Sequence, residues 1–460
     1  MRLQKSGRWL VSACALGLAL SLTACGGPAP TSSEGGGGDE QVTINYWGFA
    51  PKSTTADKYK EAFEDAHPNI KINFRVVEIT DYPATLRPGL QSDSGPDVFP
   101  LAAGGAIAGA FLFEDAVEDL TPLAKATLGD DFADKFGGGY IEQLSSNGKL
   151  LASPFVGVTA QYFWYNKDLF DQHQLTPPTN YDEMKKVCDT FKAAGVQCFV
   201  GGFGGDLPFG GELMRTIANS IQPGYWEDAI KGKVSWESPV ITESVDIMRK
   251  MQADGIIAED AIAIQQYPEA NNIFQSQKAA MIQMGSWYAQ YDPKDVAAEA
   301  QKAAGVTDPV MFTQLTMPAP DLSGKGNMPQ PLGEVDWGVA ISKRSQHKAE
   351  AEEFVKFLTM TEEGQRFGCS VLEGVPTLKG VEPDWPNLNL SNPEQQEANI
   401  KQIISDSLTT TETRNRWIGP ETAEAILQLV QGALTTQNPA AELAAKAQQM
   451  AKPLPGAAES

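Results

Sequence analysis

The stretch VTINYWG (residues 42–48) decides the fold class, because apolar residues occupy every second position in it. This alternation predicts a strand with one face buried. A helix is predicted over residues 55–66, ended by Pro68, since proline cannot continue a helix. The alternation returns over residues 70–76 and predicts a second strand. A strand–helix–strand unit therefore opens the folded part of the chain.

The same pattern continues along the chain. A further helix is predicted over residues 81–92, and GPDVF (residues 95–99) leads into a short buried strand. Strands that alternate with helices indicate an α/β fold with a parallel sheet covered on both faces. Later elements follow from the same rules: helices over 181–194 and 345–363, the latter capped by Ser345, helices beginning at Pro420 and at Asn438-Pro439, and strands over 198–200 and 280–284.

The first 41 residues are organised differently. Three basic residues precede an apolar run over 9–22, which is too short for a stable membrane span and typical of a signal peptide. LTACG (residues 22–26) resembles the lipidation site of bacterial lipoproteins, in which the cysteine is lipidated and becomes the first residue. We therefore predict a signal peptide over 1–24, a lipid on Cys25 and a flexible tether over 25–41. The alternative is an ordinary secretory signal with an incidental cysteine.

Composition excludes several classes of function. The formal net charge is −22, whereas nucleic-acid binding and adsorption to anionic lipid both need a basic surface. The three histidines are scattered and match none of the common catalytic or phosphate-binding motifs. The many Asp and Glu residues could supply a glycosidase pair, but nothing singles out two of them. We expect no enzyme, no metal and no cofactor.

Three cysteines remain once the leader and Cys25 are set aside. Cys188 and Cys198 are ten residues apart, and an exported protein can form disulfides, so we predict a disulfide between them. Cys369 is then expected to be buried and free. The chain has no C-x-x-C pair, which argues against zinc binding or redox chemistry.

A series of short motifs, in this order, resembles the extracellular solute-binding proteins of ABC importers, specifically the carbohydrate-binding group that includes the maltose-binding proteins. The resemblance extends over nearly the whole chain. The motifs that carry it are VTINYWG (42–48), GPDV (95–98), WYNKDLF (164–170), AAM (279–281) leading to GSW (285–287), and WGVAIS (337–342).

The resemblance implies a two-lobe periplasmic-binding-protein-like fold (type II) with ligand in the cleft between the lobes. Hinge crossovers are expected near 158–163, 311–318 and 370–375. The expected division is 42–159 with 315–370 for lobe 1, and 160–314 with 371–455 for lobe 2. Ligand-contacting loops are expected at the carboxyl ends of the parallel strands.

A sugar offers weakly apolar C–H faces to aromatic rings and hydroxyls to paired donors and acceptors. Tryptophan and tyrosine in strand-end or hinge positions are therefore candidates, as are the charged residues near them. For several of these tryptophans a place in the core is the alternative. The predicted ligand-binding residues are Trp47, Tyr162, Trp287, Glu334, Asp336, Trp337, Arg414 and Trp417.

Two departures from the family pattern argue against maltose itself. Thr159 stands where some relatives carry a ligand-binding glutamate, and the segment from 98 to 109 is apolar and glycine-rich where maltose-binding relatives carry polar contacts.

The predicted function is capture of a sugar, expected to be an oligosaccharide, and its delivery to an ABC permease and its ATPase. The protein is expected to be a monomer, exported and lipid-anchored to the outer face of the cytoplasmic membrane. The alternatives are a binder of a polyol phosphate or polyamine, or a surface lipoprotein with an adhesin or glycosidase role.

Overall fold

The structure is a computed structural model that describes residues 41–51, 53–105, 108–204, 209–410 and 412–459. The predicted signal peptide, Cys25 and almost all of the predicted tether lie outside the described residues. Within them the chain forms two main sheets and one small two-stranded sheet. The strands, in chain order, are β1 Val42–Gly48, β2 Ile70–Val76, β3 Val98–Leu101, β4 Ser145–Ser146, β5 Lys149–Leu150, β6 Ser153–Ala160, β7 Tyr162–Asn166, β8 Gln197–Val200, β9 Ala279–Met284, β10 Gln314–Met317, β11 Leu332–Ile341 and β12 Val375–Pro376.

The first sheet has six strands in the order β12-β6-β11-β3-β1-β2. β1 runs parallel to β2 and to β3, as the strand–helix–strand pattern predicted. β11 runs antiparallel to both β3 and β6, so the sheet is mixed. The apolar side chains that alternate along β1, such as Ile44 and Tyr46, are buried on the core side of this sheet.

The second sheet has four strands in the order β10-β7-β9-β8. β8 and β9 are parallel, and β7 and β10 are antiparallel to their neighbours. β6 of the first sheet and β7 of the second are separated only by Gln161, whose φ of 68° turns the chain sharply. The two sheets are therefore joined closely at this residue.

Each sheet has its own hydrophobic core, and a third cluster connects them. Tyr59, Phe63 and Phe354 belong to the first core, while Trp226 and Met248 belong to the second. The connecting cluster joins residues of β7 and β9 to residues of the helix over 393–409. Because these large side chains are almost fully inaccessible to water, the apolar area they bury stabilises both halves.

The helices cover the faces of both sheets. Their bounds are α1 Ser53–Ala66, α2 Tyr82–Gly89, α3 Thr121–Leu128, α4 Phe132–Lys135, α5 Tyr140–Gln143, α6 Lys167–Gln172, α7 Tyr181–Ala193, α8 Phe209–Ile221, α9 Tyr225–Ile230, α10 Pro239–Ala253, α11 Asn271–Gln275, α12 Lys294–Ala303, α13 Lys348–Met360, α14 Glu362–Cys369, α15 Pro393–Thr409, α16 Pro420–Thr435 and α17 Ala440–Met450.

The single helix predicted over 345–363 is wrong, because the chain breaks into α13 and α14. Thr361 is extended, with φ −114° and ψ 149°, and its side chain accepts a hydrogen bond from the Gly364 amide, which starts α14. Ser345 does not cap α13. Its hydroxyl donates to Asp97 over 2.6 Å and accepts from the His347 amide over 3.1 Å.

The strand pairing differs from the expected lobe boundaries at two points. Residues from 315 were assigned to the first lobe, but β10 pairs with β7 in the second sheet. Residues from 371 were assigned to the second lobe, but β12 pairs with β6 in the first sheet. Both strands are short and lie at sheet edges, so the periodicity of their residues carries little information on their partner. The division into lobes stays a prediction.

Cys188 of α7 and Cys198 of β8 are joined by a disulfide, with their Cα atoms 4.8 Å apart. The bond ties a helix to the strand that follows it in the second half of the molecule. Cys369 is buried and has a free thiol.

Candidate functional site

Aromatic and charged side chains from separate parts of the chain converge on one arginine. They come from the first turn of α8, the segment before α11, the turn after β9, the strand β11 and the loop before α16. We call this set the Arg414 cluster. Its members are Phe209, Glu212, Tyr267, Trp287, Glu334, Asp336 and Arg414.

Trp287 is placed by the turn that follows β9. The chain leaves the sheet at Gly285 and forms a short 3₁₀ helix, Ser286–Tyr291. A Cβ at Gly285 would lie 1.9 Å from the Trp287 ring, so only glycine allows the indole to fold back over the backbone here. The indole Nε1 donates to the Tyr267 hydroxyl over 3.0 Å, and the ring remains partly exposed.

Arg414 lies over the face of Trp287, with its guanidinium carbon 4.5 Å from the ring centroid, and 5.6 Å from that of Phe209. Its Nε and Nη2 both approach Oε1 of Glu212 at 2.6 Å. Burial opposes the charge of Arg414, yet Glu212, Glu334 and Asp336 raise its pKa above the ordinary value. The guanidinium is therefore held between aromatic faces and carboxylates.

Glu334 and Asp336 lie two residues apart on β11 and so face the same side of the sheet. Glu334 is 5% exposed, and its Oε2 accepts a hydrogen bond from the Asn415 amide over 2.7 Å. Burial raises the pKa of Glu334 to about 7, against the opposing effect of Arg414. Burial also raises the pKa of Asp336. Both carboxylates are costly to ionise without a further positive charge or donor.

Buried acceptor oxygens continue from the cluster toward the link between the sheets. Oε2 of Glu212 and the amide oxygens of Gln161 and Gln283 are inaccessible to water, and none of the described residues donates to them. The amide nitrogen of Gln161 donates to the Glu212 carbonyl, and that of Gln283 donates to the Thr216 hydroxyl. These donations fix which end of each amide is the unpaired acceptor.

A second arginine holds the loop that carries Arg414. Arg215 of α8 donates from Nη1 to the carbonyls of Thr413 and Arg414, and from Nη2 to the carboxylates of Glu227 and Glu412. The same loop bonds to the first sheet, because the Gly333 amide donates to the Glu412 carbonyl over 2.9 Å. The loop thus bridges the two halves of the molecule and places Arg414 between them.

Tyr162 lies at the start of β7, 4% exposed, and its hydroxyl donates to Asp406 of α15 over 2.7 Å. Burial and the Asp406 carboxylate raise its pKa. Its polar end is therefore occupied by a helix, and none of its described contacts is to the Arg414 cluster.

Two of the predicted tryptophans lie apart from the cluster. Trp337 is 3% exposed in the first hydrophobic core, with its ring 4.9 Å from Phe155, because it faces the opposite side of β11 from Asp336. Trp47 is partly buried at the end of β1. Arg75 lies 4.3 Å over its ring, and the ring covers Gly89. Trp337 is therefore a core residue, whereas the binding role of Trp47, which is partly exposed like Trp287, stays a prediction.

Trp417 lines a separate cavity of about 360 Å³. Phe111 and Gln143, which belong to the first half of the chain, form one side of it. Arg416 and Leu454 lie on the Trp417 side, and the Arg416 guanidinium is 4.7 Å from the Trp417 ring. Arg414 thus belongs to the Arg414 cluster, whereas Arg416, two residues later in the same loop, lines this cavity.

Sequence reasoning missed three members of the cluster. Phe209 lies within the glycine-rich segment 201–211 and Glu212 directly follows it, so the position of this segment after the strand predicted over 198–200 is the signal that could have found them. Residues 205–208 of that segment lie outside the described residues. No signal in the sequence distinguishes Tyr267 from other tyrosines.

Neither a metal-binding group nor a membrane-spanning helix is found among the described residues. No group of three or more His, Cys, Asp or Glu in the described part of the chain is arranged to hold a metal ion. No described helix has the length and apolar character needed to cross a membrane.

Known proteins of related sequence and structure show the same architecture. An uncharacterized ABC transporter extracellular-binding protein of Pyrococcus horikoshii is 24% identical over 331 residues, which is 70% of this chain and 69% of that protein. A solved structure from work on xylan utilization by Caldanaerobius polysaccharolyticus superimposes with a TM-score of 0.70 at 22% identity, covering 88% of this chain and 99% of that one. Maltose-bound MalE3 of T. maritima gives 0.69 at 19% identity, covering 89% and 98%.

These likenesses confirm the predicted two-lobe α/β fold. The family model described as bacterial extracellular solute-binding protein matches residues 47–365, which is more than half of the chain. The chain therefore belongs to the family of bacterial extracellular solute-binding proteins.

Proposed function

We propose that this protein is the substrate-binding subunit of an ABC importer and that it captures an oligosaccharide in the cleft between its lobes. The Arg414 cluster carries this proposal. It combines the partly exposed face of Trp287 with carboxylates and a guanidinium, between the two sheets. Aromatic faces and charged hydrogen-bonding groups are the two kinds of contact that a pyranose ring requires.

The cavity at Trp417 supports a ligand longer than one sugar. Arg416 and Trp417 of the loop that carries Arg414 line it, together with Phe111 and the polar side chains of Gln143 and Ser145. In this proposal one sugar stacks on Trp287 and a further unit extends toward Trp417. The maltose held by T. maritima MalE3 supports a sugar as the class of ligand.

Binding is proposed to close the two lobes around the ligand by a hinge motion. The link at Gln161 and the loop that holds Arg414 are the connections that such a motion would have to accommodate. The closed form would then be recognised by the permease, and the protein acts as a binder rather than a catalyst.

A thermal-shift screen tests the binding function. We expect a panel of di- to pentasaccharides to contain a sugar that raises the melting temperature. A ligand at 100 times its Kd adds about 2.7 kcal/mol of stability. Polyol phosphates and polyamines serve as comparison ligands, and chromatography of the incubated sugar checks for hydrolysis. Stabilisation by a polyol phosphate alone, or cleavage of the sugar, would contradict the proposal.

We also propose that the mature protein is held at the outer face of the cytoplasmic membrane by a lipid on Cys25. The motif LTACG over residues 22–26 supports this. The Cys25→Ala variant should be lost from the membrane fraction or remain unprocessed, while Cys369→Ala, which removes a buried free thiol, should be retained. Normal processing and full membrane retention of Cys25→Ala would refute a lipid at this position.

A further inference from the structure

The Arg414 cluster contains more negative than positive charge. Three carboxylates, those of Glu212, Glu334 and Asp336, surround one guanidinium. With all of them ionised, two negative charges have no positive partner in the cluster. Buried charges are stable only when they are paired, so an imbalance of this size calls for a positive group from elsewhere.

The other cations near the cluster are already engaged. Arg215 is shared between Glu227 and Glu412, at 3.1 and 2.9 Å, and Lys231 pairs with Glu227 at 2.8 Å. Arg416 lies over the Trp417 ring and donates to the Glu142 carbonyl over 3.0 Å. Arg215 and Arg416 also act on Glu334 through charge, but none of these three groups forms a described ion pair with the side chains of Glu212, Glu334 or Asp336.

The carboxylates also have oxygens that accept no hydrogen bond. Oε2 of Glu212 is fully buried, and no described residue donates to it. Asp336 interacts with Arg414 through charge but receives no hydrogen bond within the described part of the chain. Of the two Glu334 oxygens, only Oε2 accepts a hydrogen bond from a described residue, through the Asn415 amide. The cluster thus presents acceptors and a negative potential next to the Trp287 ring.

We propose that the sugar captured here is an amino sugar, whose protonated amine binds to Asp336 and Glu334 while its ring stacks on Trp287. This inference rests on the proposed function and names the substrate class for the same site. A protonated amine donates charge-assisted hydrogen bonds, which are about twice as strong as neutral ones, and it restores the charge balance of the cluster. Hydroxyls would satisfy the acceptors without supplying charge, and a phosphate would add to the excess.

Three disaccharides with the same β-1,4-linked backbone test the proposal. They differ at C2 of each ring. Cellobiose carries a hydroxyl there, the glucosamine dimer carries an amine, and the N-acetylglucosamine dimer carries a neutral amide. Binding is measured by calorimetric titration of the mature protein at pH 7.5, above the pKa of about 7 of Glu334 and below the pKa of roughly 8 of an amine flanked by electron-withdrawing groups, such as an α-amino group. We expect the glucosamine dimer to bind at least about tenfold tighter than either neutral ligand.

The Asp336→Asn variant should abolish this preference, because it should weaken binding of the glucosamine dimer more than binding of either neutral ligand. Asp130→Asn, which changes a carboxylate with 96% of its side chain exposed, is the control and should behave as the wild type. Melting curves of both unliganded variants check that they fold.

Equal affinity for the three ligands, or a preference for a neutral one, overturns the proposal while the binding function stands. So does failure of all three when another neutral oligosaccharide binds. An amine preference that survives in Asp336→Asn and in Glu334→Gln also overturns it. Failure of every sugar in the wider panel overturns the proposed function itself.

Discussion

Arg215 and Arg414 lie close together, yet they differ in how many hydrogen bonds each guanidinium donates to the protein. Arg215 is 3% exposed, and its two terminal nitrogens donate to two carbonyls and two carboxylates. Arg414 directs two nitrogens at a single oxygen of Glu212 and offers its flat face to two aromatic rings. Both terminal nitrogens of Arg215 donate to protein acceptors, although its buried Nε has no acceptor among the described residues. Beside Arg414, by contrast, Oε2 of Glu212 has no donor among them.

The difference separates a structural ion network from a binding site. The Arg215 network fixes the loop over 412–414, and a fixed loop holds Arg414 in place before any ligand arrives. Preorganisation of this kind lowers the entropy cost of binding. The two arginines should therefore respond to mutation in opposite ways, the first in stability and the second in affinity.

Arg215→Met is expected to cause the largest loss in the free energy of unfolding. Removing the guanidinium leaves Glu412 without an ion-pair partner among the described residues and Glu227 with Lys231 alone, and breaking a buried ion pair in this way costs about 3–5 kcal/mol. The free energy of unfolding from a denaturant titration measures it. Arg366→Met is the control, because Arg366 is exposed, pairs only with Glu362 of the same helix and should change stability by less than about 1 kcal/mol.

A loss below about 1 kcal/mol in Arg215→Met would mean that the network does not hold the loop. The contrast between the two arginines would then fail.

Trp287→Ala should reduce sugar affinity by about 2 kcal/mol, in the range of residues that dominate an interface, because its partly exposed ring supplies the stacking face. Its effect on the free energy of unfolding should be smaller than its effect on affinity. Calorimetric titration and a melting curve on the same preparation measure the two quantities.

Trp337→Ala is the matched control for Trp287. Both were predicted to bind ligand, but Trp337 is buried against Phe155, so its truncation should cost about 3–5 kcal/mol of stability. A variant of Trp287 with a large drop in melting temperature and intact affinity would remove this residue from the site.

Much of the fold could be predicted from the sequence, because alternating and helical periodicities are strong over β1, α1 and β2. The pairing partners of short edge strands such as β10 and β12 could not be predicted from the sequence, since they are set by tertiary structure. The break at Thr361 escaped prediction because residues 361–363, TEE, contain neither a proline nor a glycine that would mark the end of a helix.

The candidate site was predictable only in part. Trp287, Arg414, Glu334 and Asp336 converge as strand-end and loop positions would suggest, but Trp337 alternates to the opposite face of β11. Glu212 could not be distinguished from other glutamates, because its role comes from Arg414, a residue 202 positions away in the chain. Contacts over that separation leave no local pattern in a single sequence.

The smallest expected change, counted over a single pH unit, is in the free energy of unfolding and comes from the titration of Glu334. Burial raises the pKa of Glu334 from 4.5 to about 7, and the charged groups that act on it are Arg414, Asp336 and Arg215. Between pH 4.5 and 7 the folded state therefore holds a proton on Glu334 that the unfolded state has lost. The stabilising contribution of the neutral form is complete below pH 4.5 and is lost as the pH rises through about 7.

Glu334→Gln removes this titration, so the wild type should lose stability relative to the variant at up to about 1.4 kcal/mol per pH unit. Denaturant titrations of both proteins from pH 4.5 to 8 measure the difference. Asp292, whose pKa burial also raises, is present in both, whereas Asp336 acts on Glu334 through charge, so its own titration is part of the measured difference. Parallel stability curves would show that Glu334 is ionised throughout this range, and the Arg414 cluster would then tolerate its excess negative charge without a proton or a ligand.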